Sequence, residues 1–115
     1  MISAAPIFTI HAELAAMLHF GRTPHGERRV IGILGGSVQG PKLQGRILPG
    51  GADWQIVRSD GAADIQARYV IETEMGAHIL VSSDGLRHGP PAVMERLARG
   101  QREANAVRLD VYEVT

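Results

Sequence analysis

Hydrophobic and polar residues alternate along several short segments of the chain, which is the pattern of β-strands. In PIFTIHAEL, the side chains of Phe8, Ile10 and Ala12 fall on one face of a predicted strand. A helical interpretation of the following residues stays open, because Leu14, Met17 and Leu18 also recur at helical spacing. We therefore predict a strand as far as about Leu14, with a helical turn after it as the alternative.

Glycine and proline divide the rest of the chain into further short strands. RRVIGILGGSVQG and KLQGRILPG predict strands with bulges, corners or close backbone approach at their glycines. The Asp60-Gly61 pair that ends DWQIVRSDG predicts a hairpin turn. The segment ADIQARYVIETEMGAHILVSSDG then predicts two longer strands that turn near Met75-Gly76.

The C-terminal part of the chain contains the one good helix pattern. PPAVMERLARG has proline in its first turn, an apolar stripe and a terminal glycine, so it predicts a helix over residues 90–100. AVRLDVYEV predicts a final strand. About seven strands and one short helix indicate an all-β fold, either an antiparallel barrel or a strongly curved sheet.

Length and charge exclude several classes of function. The 115 residues are the size of one domain, so we treat residues 1–115 as a single unit with a single site. Twelve basic and twelve acidic residues give a net charge of zero, which argues against nucleic acid as a partner. Without cysteine the chain has no disulfide or thiolate site, and no apolar run reaches the roughly 20 residues of a membrane span. We expect a soluble, cytoplasmic protein that has no membrane partner.

The chain's only tryptophan follows an aspartate at the start of a predicted strand, in PGGADWQIV. Asp53 beside a large indole and screened from water is a candidate general acid or base, and Trp54 is a candidate ligand contact. In the structural alternative, Asp53 accepts backbone N–H groups in a turn and Trp54 packs in the core.

The strand around ARYVIET has one apolar and one polar face. Arg68 and Glu72 share the polar face, and Tyr69 lies on the opposite one. Arg68, Tyr69 and Glu72 are the candidate ligand-binding residues of this strand. If the polar face lines the interior, Arg68 is the best clamp for an anion or carbonyl, and Tyr69 is then a packing residue. If it points outward, Arg68 and Glu72 are solvated surface residues, since alternation does not say which face is inside.

One loop and the spacing of the histidines also bear on possible acid–base or metal chemistry. His25, in GRTPHGERR, is a candidate proton carrier over a barrel mouth, or else part of a basic, solubilising turn. The five histidines do not have the spacing of metal ligands, and no nucleotide-binding motif is present, so we expect neither a metal nor a cofactor.

Several blocks in fixed order resemble a bacterial family of unknown function, domain-of-unknown-function family 3237. They are PHGERRVI, GGSVQGPKLQG, PGGADW, ARYVIET, GLRHGPP and the terminal DVYEV. The resemblance implies a barrel-like fold similar to the lipocalin and allene oxide cyclase barrels, and it brings no reaction with it.

The chain departs from this family near its end. Family members carry a further stretch, long enough for about two strands, where RLARGQREANAVRLDVYEV runs almost directly from helix to strand. A barrel lacking part of its wall has open strand edges that pair readily with another chain. We therefore expect a homodimer or higher homo-oligomer, or else a partly open sheet.

These observations leave three hypotheses for the function. The first is a protein that binds a small, partly apolar organic molecule near Asp53, Trp54, Arg68 and His25. The second is a cofactor-free acid–base enzyme of the isomerase, cyclase or lyase type, with Asp53 moving the proton and Arg68 stabilising an oxyanion. The third is an oligomeric interaction module without a ligand.

Overall fold

The structure, a computed structural model, describes residues 5–89, 92 and 106–111. This part of the chain contains seven strands: β1 (Phe8–Thr23), β2 (Gly26–Gln39), β3 (Gly45–Ile47), β4 (Gly51–Val57), β5 (Ala63–Thr73), β6 (His78–Arg87) and β7 (Ala106–Val111). All pairings between them are antiparallel, which confirms the predicted all-β antiparallel class. The helix predicted over residues 90–100 lies, except for Ala92, outside the described residues.

The strands form one sheet in the spatial order β6, β5, β4, β2, β1 and β7. The short β3 continues the line of β4, because both strands pair with β2 on one side and with β5 on the other. Pro49 and Gly50 separate the two strands: proline has no N–H to donate, and Gly50 has a φ of 109°. Leu48 keeps the connection in the sheet by donating its N–H to the Val70 carbonyl at 2.9 Å.

The sheet is strongly curved, and its apolar core lies on the concave face. Ile10 of β1, Ile33 of β2 and Ile71 of β5 belong to one buried cluster, against which Val81 of β6 and Val111 of β7 also pack. In a flat sheet β6 and β7 would be five strand spacings, or roughly 24 Å, apart. Both edges reach the same cluster only because the sheet curls around it.

β1 is a single long strand, so the helical turn considered after Leu14 is not present. Leu14 pairs with Ile33 and Met17 with Ile31, so three residue steps on β1 oppose two on β2. This bulge places two side chains separated by three residues on the same face, which is the spacing that a helix also produces. Met17 is half-buried as a result.

The predicted hairpin turns between β4 and β5 and between β5 and β6 are both confirmed. Gly61, with a φ of 86°, donates its N–H to the Arg58 carbonyl at 2.9 Å, and Arg58 in turn donates to the Ala62 carbonyl at 2.8 Å. Gly76 has the same φ of 86° and donates to the Thr73 carbonyl at 2.9 Å.

The two edge strands expose residues that would be covered in a closed barrel. Among the described residues, β6 pairs only with β5, and β7 pairs only with β1. The concave-face residues Ile79, Val107 and Leu109 on these strands are exposed. No helix in the described part of the chain is long and apolar enough to cross a membrane.

Candidate functional site

β4 turns its polar side chains toward the concave face of the sheet. Asp53 pairs with Ile31 and Ala67, and Gln55 pairs with Arg29 and Ile65. Directly opposed residues in antiparallel strands share a face, so Asp53 and Gln55 lie on the side of the buried Ile31. The alternate residues of β4, including Trp54, therefore lie on the convex face.

Asp53 is a half-buried carboxylate between aliphatic neighbours, since Ile31 flanks it on β2 and Ala67 on β5. Burial raises the pKa of Asp53 above 3.8, and the hydrogen bond from Gln55 and the charges of Arg87 and Arg29 offset this only in part. A carboxyl group in this position holds a proton more readily than a free aspartate does.

Gln55 connects Asp53 to a buried arginine. Arg29 donates from Nη2 to Gln55 Oε1 at 2.8 Å, and Gln55 Nε2 donates to Asp53 Oδ2 at 3.1 Å. Gln55 has 0% of its surface exposed and Arg29 has 6%. Because a guanidinium only donates and a carboxylate only accepts, the two neighbours fix the orientation of the amide. This connection holds one oxygen of Asp53 in place.

The other oxygen of Asp53 lacks a partner in the described part of the chain. Asp53 Oδ1 is buried, and no described group donates a hydrogen bond to it. Buried polar atoms in folded proteins nearly always have a hydrogen-bond partner, so an exception marks a position where a further donor is needed.

Tyr69 lies on the same concave face, two residues after Ala67 on β5. It is half-buried and packs against the apolar cluster, and burial raises the pKa of its phenol. Gly51 makes room for it, because a Cβ at residue 51 would lie 2.7 Å from the Tyr69 Cβ and 2.6 Å from the Arg68 carbonyl oxygen. The PGG part of the PGGADW block therefore has a structural explanation.

Trp54 and Arg68 lie on the convex face, away from Asp53. Arg68 pairs with Ala52, the residue before Asp53, and its side chain is exposed. Trp54 is 44% exposed, so it does not pack in the core as the structural alternative required. The structure does not bring Asp53 and Arg68 together, because the alternation of β4 and β5 sends them to opposite sides.

The remaining two predicted site residues also lie apart from Asp53. Glu72 is on the convex face, where it pairs with Arg46 Nη2 and His78 Nε2, each at 2.9 Å. The hydrogen bonds from His78 and Arg46 lower the pKa of Glu72. His25 is exposed in the turn between β1 and β2, where its backbone N–H donates to Thr23 Oγ1 at 3.2 Å.

Sequence reasoning missed Arg29, Gln55 and Arg87 as neighbours of Asp53. Arg87 is half-buried and pairs with Ala63, which places it on the concave face. A signal for two of them was present: Gln55 is two residues after Asp53, and Arg29 alternates with Ile31 and Ile33 on an apolar face. A polar residue in such a row is either at a strand end or part of an internal polar site.

Two surface grooves lie elsewhere on the molecule. One, of about 550 Å³, lies between β7, β1 and β2 and includes His11, Glu13 and Arg108. The other, of about 340 Å³, includes Trp54, Asp64 and Asp84, and it is also lined by Ile65 and Gly85 of the neighbouring strands β5 and β6. In the described part of the chain, no three histidine, aspartate or glutamate side chains converge as metal ligands.

The sequence is similar to bacterial proteins of unknown function. It is 40% identical over 95 residues to a UPF0311 protein of Rhodopseudomonas palustris, an alignment that covers 83% of this chain and 62% of that protein. A UPF0311 protein of Bradyrhizobium diazoefficiens matches with the same identity and coverage. The chain thus spans 62% of the length of these relatives.

Solved structures of related proteins share the fold. A conserved protein of unknown function from Rhodopseudomonas palustris has a TM-score of 0.78 at 37% identity, covering 86% of this chain and 65% of that one. A protein from Acinetobacter baumannii, described as β-barrel like, has a TM-score of 0.70 at 39% identity, with coverages of 94% and 70%. These two similarities confirm the predicted barrel-like architecture.

A more distant likeness concerns the fold alone. An enzyme from Penicillium herquei has a TM-score of 0.65 at 23% identity, covering 73% of this chain and 62% of that one.

The family assignment rests on almost the whole sequence. A family model described as protein of unknown function (DUF3237) matches residues 2–114, which agrees with the resemblance of the ordered sequence blocks. The chain belongs to this family.

Proposed function

We propose that the protein binds a small, partly apolar organic molecule on the concave face of its sheet, with Asp53 as the central polar contact. The observation that carries the proposal is the half-buried Asp53 carboxylate, which has one oxygen held by Gln55 and the other, Oδ1, buried without a described donor. A ligand hydroxyl or amine would supply that donor, and Tyr69 would offer its phenol nearby.

The apolar surroundings fit such a ligand. Ile31 and Ala67 flank Asp53 in the pairing of the strands, and Tyr69 lies two residues after Ala67 on the same face, so the apolar part of a ligand would find contacts on both sides of the carboxylate. We prefer this face to the two surface grooves, because the raised pKa of Asp53 and its buried oxygen are both found here.

The test is to screen a library of small organic molecules against the protein by ligand-observed NMR, followed by titration of the hits. Replacing Asp53 by Asn keeps the size of the side chain and removes its charge. We expect Asp53→Asn to weaken binding of the hits by about tenfold or more, the usual loss for a buried hydrogen bond to a charged group.

Asp84→Asn is the matched control. Asp84 pairs with Gln66 on the convex face and is exposed beside Trp54, so its replacement should leave the affinity unchanged. Hits that depend on Asp84 and not on Asp53 would place the site in the Trp54 groove and contradict the proposal.

The second candidate is a cofactor-free acid–base enzyme that uses the same carboxylate. It is favoured by the raised pKa of Asp53, which brings a carboxyl group closer to the range where it exchanges protons with a substrate at neutral pH. Arg68 lies on the other face, so in this version Arg87 or Arg29 would stabilise a developing oxyanion.

Proton transfer can be tested before the reaction is known. A base that removes a proton from carbon catalyses hydrogen–deuterium exchange in D2O, which proton NMR detects on bound ketones from the same screen. We expect exchange with the wild-type protein and none with Asp53→Asn. Binding without any Asp53-dependent exchange would support the binding function and contradict the acid–base enzyme.

A further inference from the structure

The concave face beside Asp53 has a floor of small side chains. Across β4, β5 and β6 the row that starts at Asp53 continues with Ala67 and Ser83. The next row along the strands contains Gln55, Ile65 and Gly85, and an added Cβ at Gly85 would meet no atom within 4 Å. The small side chains of Ala67 and Ser83 and the free Cβ position of Gly85 leave room between Asp53 and the edge strand β6, beside the side chain of Ile65.

Arg87 lies at the far end of this space. It is half-buried on the same face, opposite Ala63, and no described carboxylate pairs with it. Its charge acts on Asp53 through space. A partly buried guanidinium presents a planar fork of donors that fits a carboxylate in two parallel hydrogen bonds.

We propose that the ligand is a small carboxylic acid that carries a hydroxyl group at its other end, with Arg87 binding the carboxylate and Asp53 accepting from the hydroxyl. The flat-sheet spacing puts the two Cα atoms roughly 16 Å apart, and the two side chains shorten that gap. A ring with one substituent at each end spans the remainder and packs on Ile65, which lies midway between the two residues in the register, next to Ala67 and Gly85. This inference rests on the proposed function and specifies its ligand.

The test uses four matched probes. They are 3-(4-hydroxyphenyl)propanoate, its methyl ester, 3-phenylpropanoate and the methyl ester of 3-phenylpropanoate. Each is titrated by NMR against the wild-type protein, Asp53→Asn, Arg87→Gln and the control Arg68→Gln, whose arginine lies exposed on the convex face.

We expect 3-(4-hydroxyphenyl)propanoate to bind best. Arg87→Gln should weaken the two acids about ten- to hundredfold and leave the two esters unchanged, because only the acids have the charge that Arg87 binds. Asp53→Asn should weaken the two hydroxylated probes and spare the other two. Arg68→Gln should change none of the four affinities.

A second variant tests the open space without removing a polar group. Gly85→Val suits a strand and adds its Cβ where no atom lies within 4 Å, so we expect the variant to fold with an unchanged melting temperature. The valine would occupy the floor and abolish binding of all four probes.

The outcomes separate this inference from the proposed function. If Arg87→Gln weakens acids and esters equally, or neither, the carboxylate assignment is overturned, while Asp53-dependent binding would keep the proposed function. If Gly85→Val binds the probes as the wild type does, the floor is not part of the site. If no probe binds the wild type at millimolar concentration, the ligand class is wrong, and the library screen then decides the proposed function by itself.

Discussion

Asp53 couples the stability of the protein to pH in an unusual direction. Its pKa is raised above 3.8 in the native state by burial, so the native state holds this proton more tightly than the unfolded chain does. The stabilisation from this group is complete below pH 3.8 and is lost as the pH rises through the raised native pKa.

We therefore predict that Asp53→Asn becomes more stable relative to the wild type as the pH rises above 3.8. The slope for one proton is at most about 1.4 kcal/mol per pH unit. Urea unfolding of both proteins across this range measures the difference, and the pH effects of Asp60 and Glu72, present in both, cancel. A difference that shrinks with rising pH would contradict a raised native pKa.

Gly51 is a position where a single methyl group should be costly. A Cβ there would lie 2.6 Å from the Arg68 carbonyl oxygen and 2.7 Å from the Tyr69 Cβ. We expect Gly51→Ala to lower the free energy of unfolding by about 1–3 kcal/mol, as overpacking does. Gly85→Ala is the control, since its Cβ meets no atom within 4 Å. Equal stability of the two variants would show that β4 and β5 can separate at Gly51.

At the scale of single residues, the sequence identified Asp53 as a candidate site residue but did not identify the residues that surround it. Its partner Gln55 is visible two residues later, but Arg29 lies 26 residues before Gln55 and reaches it only through the pairing of β2 with β4. Arg68 is a candidate neighbour of Asp53 only if the polar face of its strand lines the interior, and the structure turns that face outward. Asp53 pairs with Ala67, and because successive side chains of a strand point to opposite faces, Arg68 lies on the face away from Asp53.

The turn between β4 and β5 depends on the backbone conformation of one residue. Gly61 has a φ of 86°, in the left-handed region, and an added Cβ would meet no atom within 4 Å. We predict that Gly61→Ala costs about 1 kcal/mol of stability through its backbone conformation alone. Chemical denaturation measures this against Gly85→Ala, which has equal free space and no positive φ. A neutral Gly61→Ala would mean that the turn relaxes to another type.

At the scale of elements, the turns were more predictable than the path of β1. The turn residues act locally, Gly61 and Gly76 through their backbone conformation and Asp60 through its carboxylate, which accepts from the Ala62 N–H, so their effect is visible in the sequence. The bulge between Leu14 and Met17 exists because β1 must follow β2 around the curve. Its apolar spacing matched a helix in sequence, and only the pairing with β2 decided for a strand.

At the scale of the whole molecule, the described sheet has unpaired edges on β6, on β7 and on the part of β1 after Glu13, which β7 does not reach. Leu80 of β6 is 72% exposed at one of these edges. We predict that the protein forms a homodimer through such an edge, as unpaired strand edges favour association. Light scattering after gel filtration should give about twice the 12.4 kDa of the chain.

A pair of lysine variants tests the edge. Leu80→Lys places a charge on β6 and should shift the mass toward that of the monomer, since charged residues on edge strands oppose pairing. Met75→Lys changes another exposed apolar residue, in the turn before β6, and should leave the mass unchanged. A wild-type monomer at micromolar concentration would contradict the dimer.

The sequence by itself determined most of the strands, the two hairpin turns at Gly61 and Gly76 and the all-β class of this protein, together with its family. These features follow from alternation and turn residues, which act between neighbours in the chain. Only the tertiary structure decided that Asp53 and Tyr69 face inward while Trp54, Arg68 and Glu72 face outward. Alternation shows that a strand has two different faces, and it is the curvature of the sheet around Ile31, Ile33 and Ile71 that makes one of them the interior.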